Sequence, residues 1–278
     1  MVSRGLEECP SYIAPLLLWE QPHPIMLAEL IYRVNNDKAV LEKYFTLIEG
    51  LVEFMLDILI YEPDLDRYVL DAPLIPAQEF HDPEVVKNPI YELEYWYFGF
   101  DIYKKWCERL GKTPLADLDE KMTKLAKSPV KDGLYLLHEN CPDSYTRFNI
   151  DHPSFLCGYG VLPGERMDKE IVSASLDKTL EVWEWDETWG WDYALLAMCA
   201  AKLDRREDAI NVLLKDTSKN RYSINGHVYQ YPGLPCYIDT NGALLNALGF
   251  LAAGCDSNPG CKFPEDWDVK VEDIIQYV

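Results

Sequence analysis

Residues 38–60, KAVLEKYFTLIEGLVEFMLDILI, repeat apolar side chains at three- and four-residue spacing over several turns. That period belongs to a helix with one buried face. It constrains the whole chain, because the same pattern recurs at 25–34, 90–110, 115–126, 169–183, 192–203, 206–214 and 241–253. The tail, 269–277, is expected to add one more helix. Strand–helix–strand alternation is absent, and so are the glycine fingerprints of nucleotide-binding loops. Long connections at 61–87, 128–168 and 217–239 separate the helices, and loops of that length are usually functional. Short strands are expected inside them at 66–70 and 133–137. Alternating short and long connections predict an all-α fold of helix hairpins packed side by side, with the long loops on one face. No composition break marks a boundary, so residues 1–278 are expected to form a single domain.

Composition narrows the partners. The formal net charge of -21 opposes nucleic acid and anionic membrane surfaces alike. No run of about 18 apolar residues spans a bilayer. Glu7, Glu8 and Pro10 interrupt the apolar patch near the start, so no signal peptide is expected and the reading leans to the cytoplasm. Eight cysteines (Cys9, Cys107, Cys141, Cys157, Cys199, Cys236, Cys255 and Cys261) form no CxxC pair, which argues against a zinc ribbon or finger. Cys255 and Cys261 are near enough in sequence to close a small disulfide loop in an oxidising compartment. Five histidines without HExxH or a metal-ligand spacing argue against a metal enzyme. Loop carboxylates could take calcium, but without specificity. No cofactor is implied, and the oligomeric state is open.

Two acids stand out by context. Asp239, in YIDTNGALLNAL, opens a helical pattern, where partial positive charge favours an ionised carboxylate; a plain helix cap, with Thr240 or Asn241 competing, is the commoner use of such a residue. Glu79, in LIPAQEFHDP, has prolines, aliphatics and Phe80 as sequence neighbours, which would favour its protonated form. A solvated loop glutamate is the ordinary alternative. Glu92 and Glu94 in YELEYW are alternative pocket acids. One acid holding its proton and another ionised is the division of labour glycoside hydrolysis needs. Trp19, Trp96, Trp189 and Trp191 offer flat faces for a sugar ring, or for the core. His138, Glu139, Asn140, His152, Asp151, Asp192, His227 and Asn241 offer hydrogen bonds to hydroxyls, or bracing of the loops. Neither a GxSxG elbow nor a convincing Cys–His pair supports a covalent nucleophile.

The order of these segments resembles the six-hairpin, (α/α)6 glycosidases, and most nearly glycoside hydrolase family 95, with family 65 behind it. WEQPHPIMLAELIYRVNN and the 38–60 helix are similar to that family's paired helices. LIPAQEFHDP resembles the segment carrying its Ser-Pro-Glu general acid, although Ala77-Gln78-Glu79 stands here. DHPSFLCGYGVLPGE and GWDYALLAMCAAKLDRREDAINVLL look like two further family segments. YIDTNGALLNAL resembles the segment whose Asp is the base, with Asp239-Thr240-Asn241-Gly242 in place of Asp-Gly-Asn-Phe-Gly. The resemblance implies Glu79 as general acid and Asp239 as base in an inverting hydrolase of an oligosaccharide or glycoside. The family's N-terminal β-sandwich and first helices have no counterpart here, so the implied (α/α) toroid is incomplete. An inactive carbohydrate-binding paralogue and a family 65-like phosphorylase are the alternatives this implies.

Overall fold

A computed structural model describes residues 13–277. Cys9 and most of the segment weighed as a signal peptide lie outside the described residues. Among these residues no helix is long and apolar enough to cross a membrane. The chain forms two compact units. The first contains residues up to Pro129 together with His138–Cys141, and the second contains Val130–Leu137 and the residues from Pro142 onward.

The first unit is built on α1 (His23–Asn35), α2 (Lys38–Ile58), α3 (Ile90–Leu110) and the short α4 (Leu118–Lys124). Asp37 caps α2 by accepting the Ala39 N–H at 2.9 Å. The turn from α1 into it passes through Asn36 at φ 48°, a left-handed position that Asn tolerates. Gly111 ends α3 at φ 66°, returning its N–H to the carbonyls of Cys107 and Glu108, as helix C-termini commonly do. The three long helices pack on one another through Ile25, Phe45, Ile48, Val52, Met55, Trp96, Tyr103 and Trp106, each at most 4% exposed. Trp96, weighed above as a sugar platform, is wholly within this core. The buried carboxylate of Glu29 joins α1 to α3, accepting from Trp106 Nε1 at 2.6 Å and from both Arg109 terminal nitrogens at 2.6 and 3.1 Å. The long connection after α2 carries the antiparallel hairpin β1 (Ile60–Glu62) and β2 (Arg67–Val69), at the position expected for a strand.

The second unit holds the hairpin β3 (Val130–Lys131) and β4 (Leu134–Tyr135), then α5 (Cys157–Gly160), α6 (Lys169–Val182), α7 (Asp192–Lys202), α8 (Arg206–Leu213) and α9 (Ile238–Ala253). Every residue of α7 is buried, as an apolar-all-round helix requires. It is the element on which α5, α8 and α9 pack. At Gly160 an added Cβ would meet Cys199 backbone nitrogen at 2.9 Å, so α5 and α7 touch backbone to backbone. The buried Lys202 ammonium ends α7 by donating to the carbonyls of Leu162 and Pro163 at 2.8 and 2.7 Å. Asp168 caps α6 through the N–H groups of Glu170 and Ile171.

Three expectations are corrected. The tail 269–277 is not helical: the Asp256 N–H donates to the Tyr277 carbonyl at 3.0 Å and the Gln276 amide donates to the carbonyls of Ala253 and Cys255. These bonds hold the tail extended along the end of α9, beside a minimal hairpin of β5 (Gly254–Cys255) and β6 (Asn258–Pro259). Cys255 and Cys261 are not joined; Cys255 is buried with its sulfur 3.3 Å from the Ser257 hydroxyl, and Cys261 is exposed. Helix α9 begins at Ile238, three residues before the expected start, with Tyr237 at its N-cap and no side-chain cap. Asp239 therefore sits inside the first turn rather than capping it.

Candidate active site

In the second unit, the turn from Glu187 into α7 and the loop before α9 meet. A Cβ on Gly190 would overlap the Thr240 hydroxyl, so only glycine lets the Trp189-Gly190-Trp191 segment lie this close to the first turn of α9. Gln230 fixes the approach: its side-chain oxygen accepts the Gly190 N–H at 3.1 Å and its amide donates to the Thr188 carbonyl at 3.0 Å. Trp189 and Trp191 are both half-buried, each leaving part of a ring to solvent. Trp189 lies 5.3 Å from Tyr237 and 6.2 Å from Tyr231, and Trp191 lies 4.4 Å from His152.

Behind this wall is a polar triad. His152 Nδ1 donates to Asp192 Oδ1 at 2.8 Å, and its Nε2 stands 3.3 Å from Asp151 Oδ1. Asp192 is fully buried, and its second oxygen accepts from the Thr188 hydroxyl and from the Trp189 N–H. An imidazole between two carboxylates is held in one orientation. Burial pushes the Tyr237 phenol up, and the nearby Asp239 and Asp192 carboxylates push it further. Asp239 itself is exposed on the first turn of α9. Next to it, Thr240 Oγ1 and Asn241 Oδ1 are buried without hydrogen-bond partners, while the Asn241 amide donates to the Gly226 carbonyl at 2.8 Å. That bond draws the exposed His227 turn toward α9. The second unit thus gathers His152, Trp189, Trp191, Asp192, Asp239 and Asn241, with His227 at its margin. The Tyr231 and Tyr237 rings were not anticipated; their aromatic spacing in VYQYPGLPCY was the available signal.

The first unit places Glu79, Trp19, His138, Glu139 and Asn140. Glu79 is exposed, so the apolar residues beside it in sequence do not bury it. The acid whose pKa burial raises is Glu92. It is fully buried, its Oε1 accepts the Ala77 N–H at 2.7 Å, and its Oε2 has no hydrogen-bond partner. Burial pushes its pKa up to about 7. Glu94, also buried, accepts from the Ser128 hydroxyl at 2.8 Å. Glu92 thus holds the backbone two residues ahead of Glu79. Trp19 stacks edge-on against His23 and lies 6.4 Å from Tyr91.

Glu139 braces loops. It accepts from Arg67 at 2.8 Å and from the Asn88 amide at 2.6 Å, and Arg67 also donates to Glu62. Burial raises the Glu139 carboxyl, but the Arg67 and Asn88 bonds outweigh it and leave the pKa below its usual value. The Asn140 amide donates to the Val85 carbonyl at 3.0 Å. His138 is buried, with its ring 5.0 Å from that of His81.

The helix hairpins place the chain in the all-α, (α/α)-toroid fold class. Residues 22–248 match the glycosyl hydrolase family 95 catalytic domain, and the chain belongs to that family. Among solved structures it is similar to a putative kojibiose phosphorylase from the human microbiome, at 14% identity and a TM-score of 0.63. The match covers 91% of this chain but 38% of the other, and at that identity it shows the fold alone. No curated protein matches the chain.

Proposed function

We propose that this chain carries out inverting hydrolysis of a glycosidic bond in an oligosaccharide or glycoside. The observation that carries the reading is the second unit's cradle, with Trp189, Trp191 and Tyr237 beside the Asp151–His152–Asp192 triad and Asp239 exposed on the first turn of α9. Half-exposed indole rings offer apolar faces to a pyranose. The buried triad holds the imidazole on which Trp191 rests, so the platform is rigid. In the proposed step Asp239 takes a proton from water. The water oxygen bonds to the anomeric carbon as the bond to the leaving oxygen breaks on the opposite face. Glu79 gives that oxygen its proton, the role its family motif supports. The chemistry requires the two carboxyls roughly 6.5–9.5 Å apart, with room for the water. Trp19, Glu139, Asn140 and His227 are proposed as outer contacts to the sugar. No cofactor enters the step.

A panel of aryl glycosides and oligosaccharides tests this, with the wild-type chain beside Glu79→Gln and Asp239→Asn, each with and without inorganic phosphate. Phosphate-independent turnover, reduced about 10²–10⁴-fold in either variant, is expected. Turnover that requires phosphate would instead make the protein a phosphorylase. The cations shortly before Asp239 in sequence do not favour that outcome, since Lys219 donates to the Gln230 carbonyl and Arg221 pairs with Asp216. Glycan binding without turnover, or equal rates in wild type and variants, would remove the hydrolytic reading.

A further inference from the structure

The first unit contains a cluster that the proposed hydrolysis does not use. His81, His138 and Cys141 are 5%, 2% and 1% exposed. One ligand atom from each lies within 4.8 Å of the others. His81 Nδ1 and His138 Nε2 face each other at 3.3 Å, with the rings at 80°. Two imidazole nitrogens bound to one tetrahedral zinc at about 2.0–2.1 Å stand about 3.3 Å apart, and a zinc-bound thiolate sits about 3.6 Å from each of them. His138 and Cys141 belong to one turn, closed by the Cys141 N–H donating to the His138 carbonyl at 3.0 Å. That His-x-x-Cys spacing brings a nitrogen and a sulfur to the same side. The outer contacts are also those of a ligand site, because His81 Nε2 donates to the fully buried Gln78 Oε1 at 2.6 Å. A ligating histidine usually gives its second N–H to such an acceptor, which leaves the other nitrogen open to the ion.

We propose that His81, His138 and Cys141 bind a borderline-soft divalent cation of the zinc type, leaving the fourth position to water. Two imidazoles and a thiolate select against magnesium and calcium, which take oxygen ligands. Without an ion the same groups form a hydrogen-bond chain. The Asn140 N–H donates to His138 Nδ1 at 3.2 Å, His138 Nε2–H faces His81, and His81 donates to Gln78. Binding replaces the middle proton, which moves to His138 Nδ1, and releases the thiol proton to solvent. The Asn140 N–H that now points at Nδ1 must then give up that bond. The bound ion would tie the turn around His138 to the segment of Glu79 and His81.

The test is optical and independent of any glycoside. The chelator-treated, reduced chain is titrated with Co²⁺. One equivalent is expected to bind with a near-ultraviolet thiolate-to-cobalt band, and Zn²⁺ is expected to displace it. Cys141→Ser should abolish the band. Gln78→Ala keeps all three ligands and should weaken binding about 10–100-fold, which guards against a ligand variant that fails to fold. Absence of a thiolate band in the wild type, an unchanged band in Cys141→Ser, or unchanged affinity in Gln78→Ala would each overturn the site.

Discussion

Glu92 shows how burial, rather than sequence neighbourhood, sets a carboxyl's charge. Prolines and Phe80 surround Glu79 in sequence, yet Glu79 is exposed. Glu92, on the first turn of an aromatic helix, is fully buried and titrates near 7. YELEYW offered Glu92 and Glu94 as alternatives to Glu79 for the desolvated acid, because a helix start there turns inward. Which glutamate is desolvated was not legible, since that depends on the packing of α3. The folded-state value lies above the unfolded one, so Glu92 is fully accommodated at acid pH, and its effect on stability becomes unfavourable as pH rises from about 4.5 to 7. The raised value corresponds to about 3 kcal/mol at full effect. Glu92→Gln keeps the acceptor for the Ala77 N–H without the ionisation. Its stability relative to wild type is expected to rise by about that amount between pH 4 and pH 8 in urea titrations. Parallel pH profiles for the two proteins would show that Glu92 does not carry its proton into the fold.

Elements with a strong helical period were recovered nearly to their ends; α3 spans the expected residues and α2 stops two short. The tail failed because tertiary hydrogen bonds outweigh its local pattern and pin it to the end of α9, while α9 itself starts three residues early at Ile238. The hidden feature of the first three helices is Glu29. Nothing in IMLAELIYRV marks that glutamate for the inside, because its partners Trp106 and Arg109 stand 77 and 80 residues away. Burial raises its carboxyl, but the bonds from Arg109, Trp106 and Arg33 outweigh this and hold it below the usual range. Its contribution is therefore present above the unfolded pKa and is lost as pH falls. Glu29→Ala would leave the Arg109 charge and the Trp106 N–H without their acceptor. Chemical denaturation at neutral pH is expected to show a loss of about 3–5 kcal/mol. A loss under about 1 kcal/mol would mean that α1 and α3 are held by apolar packing alone.

For the whole molecule, fold class and family followed from an order of weak segments rather than from any single strong motif. The helix hairpins, long connections and final Asp-Thr-Asn-Gly were all visible in the chain. The aromatic cradle was partly visible, since Trp189, Trp191 and Asp239 stood out while the tyrosines that complete it did not. The His81–His138–Cys141 cluster was missed because only folding brings residue 81 to the His-x-x-Cys turn. In the proposed reaction Asp239 activates water for attack with inversion. Proton NMR of the first-formed sugar during turnover tests it most directly. The first product is expected to carry the anomeric configuration opposite to the substrate, and Asp239→Asn to yield no such signal on the same timescale. A first product of retained configuration, or an undiminished signal from Asp239→Asn, would contradict it.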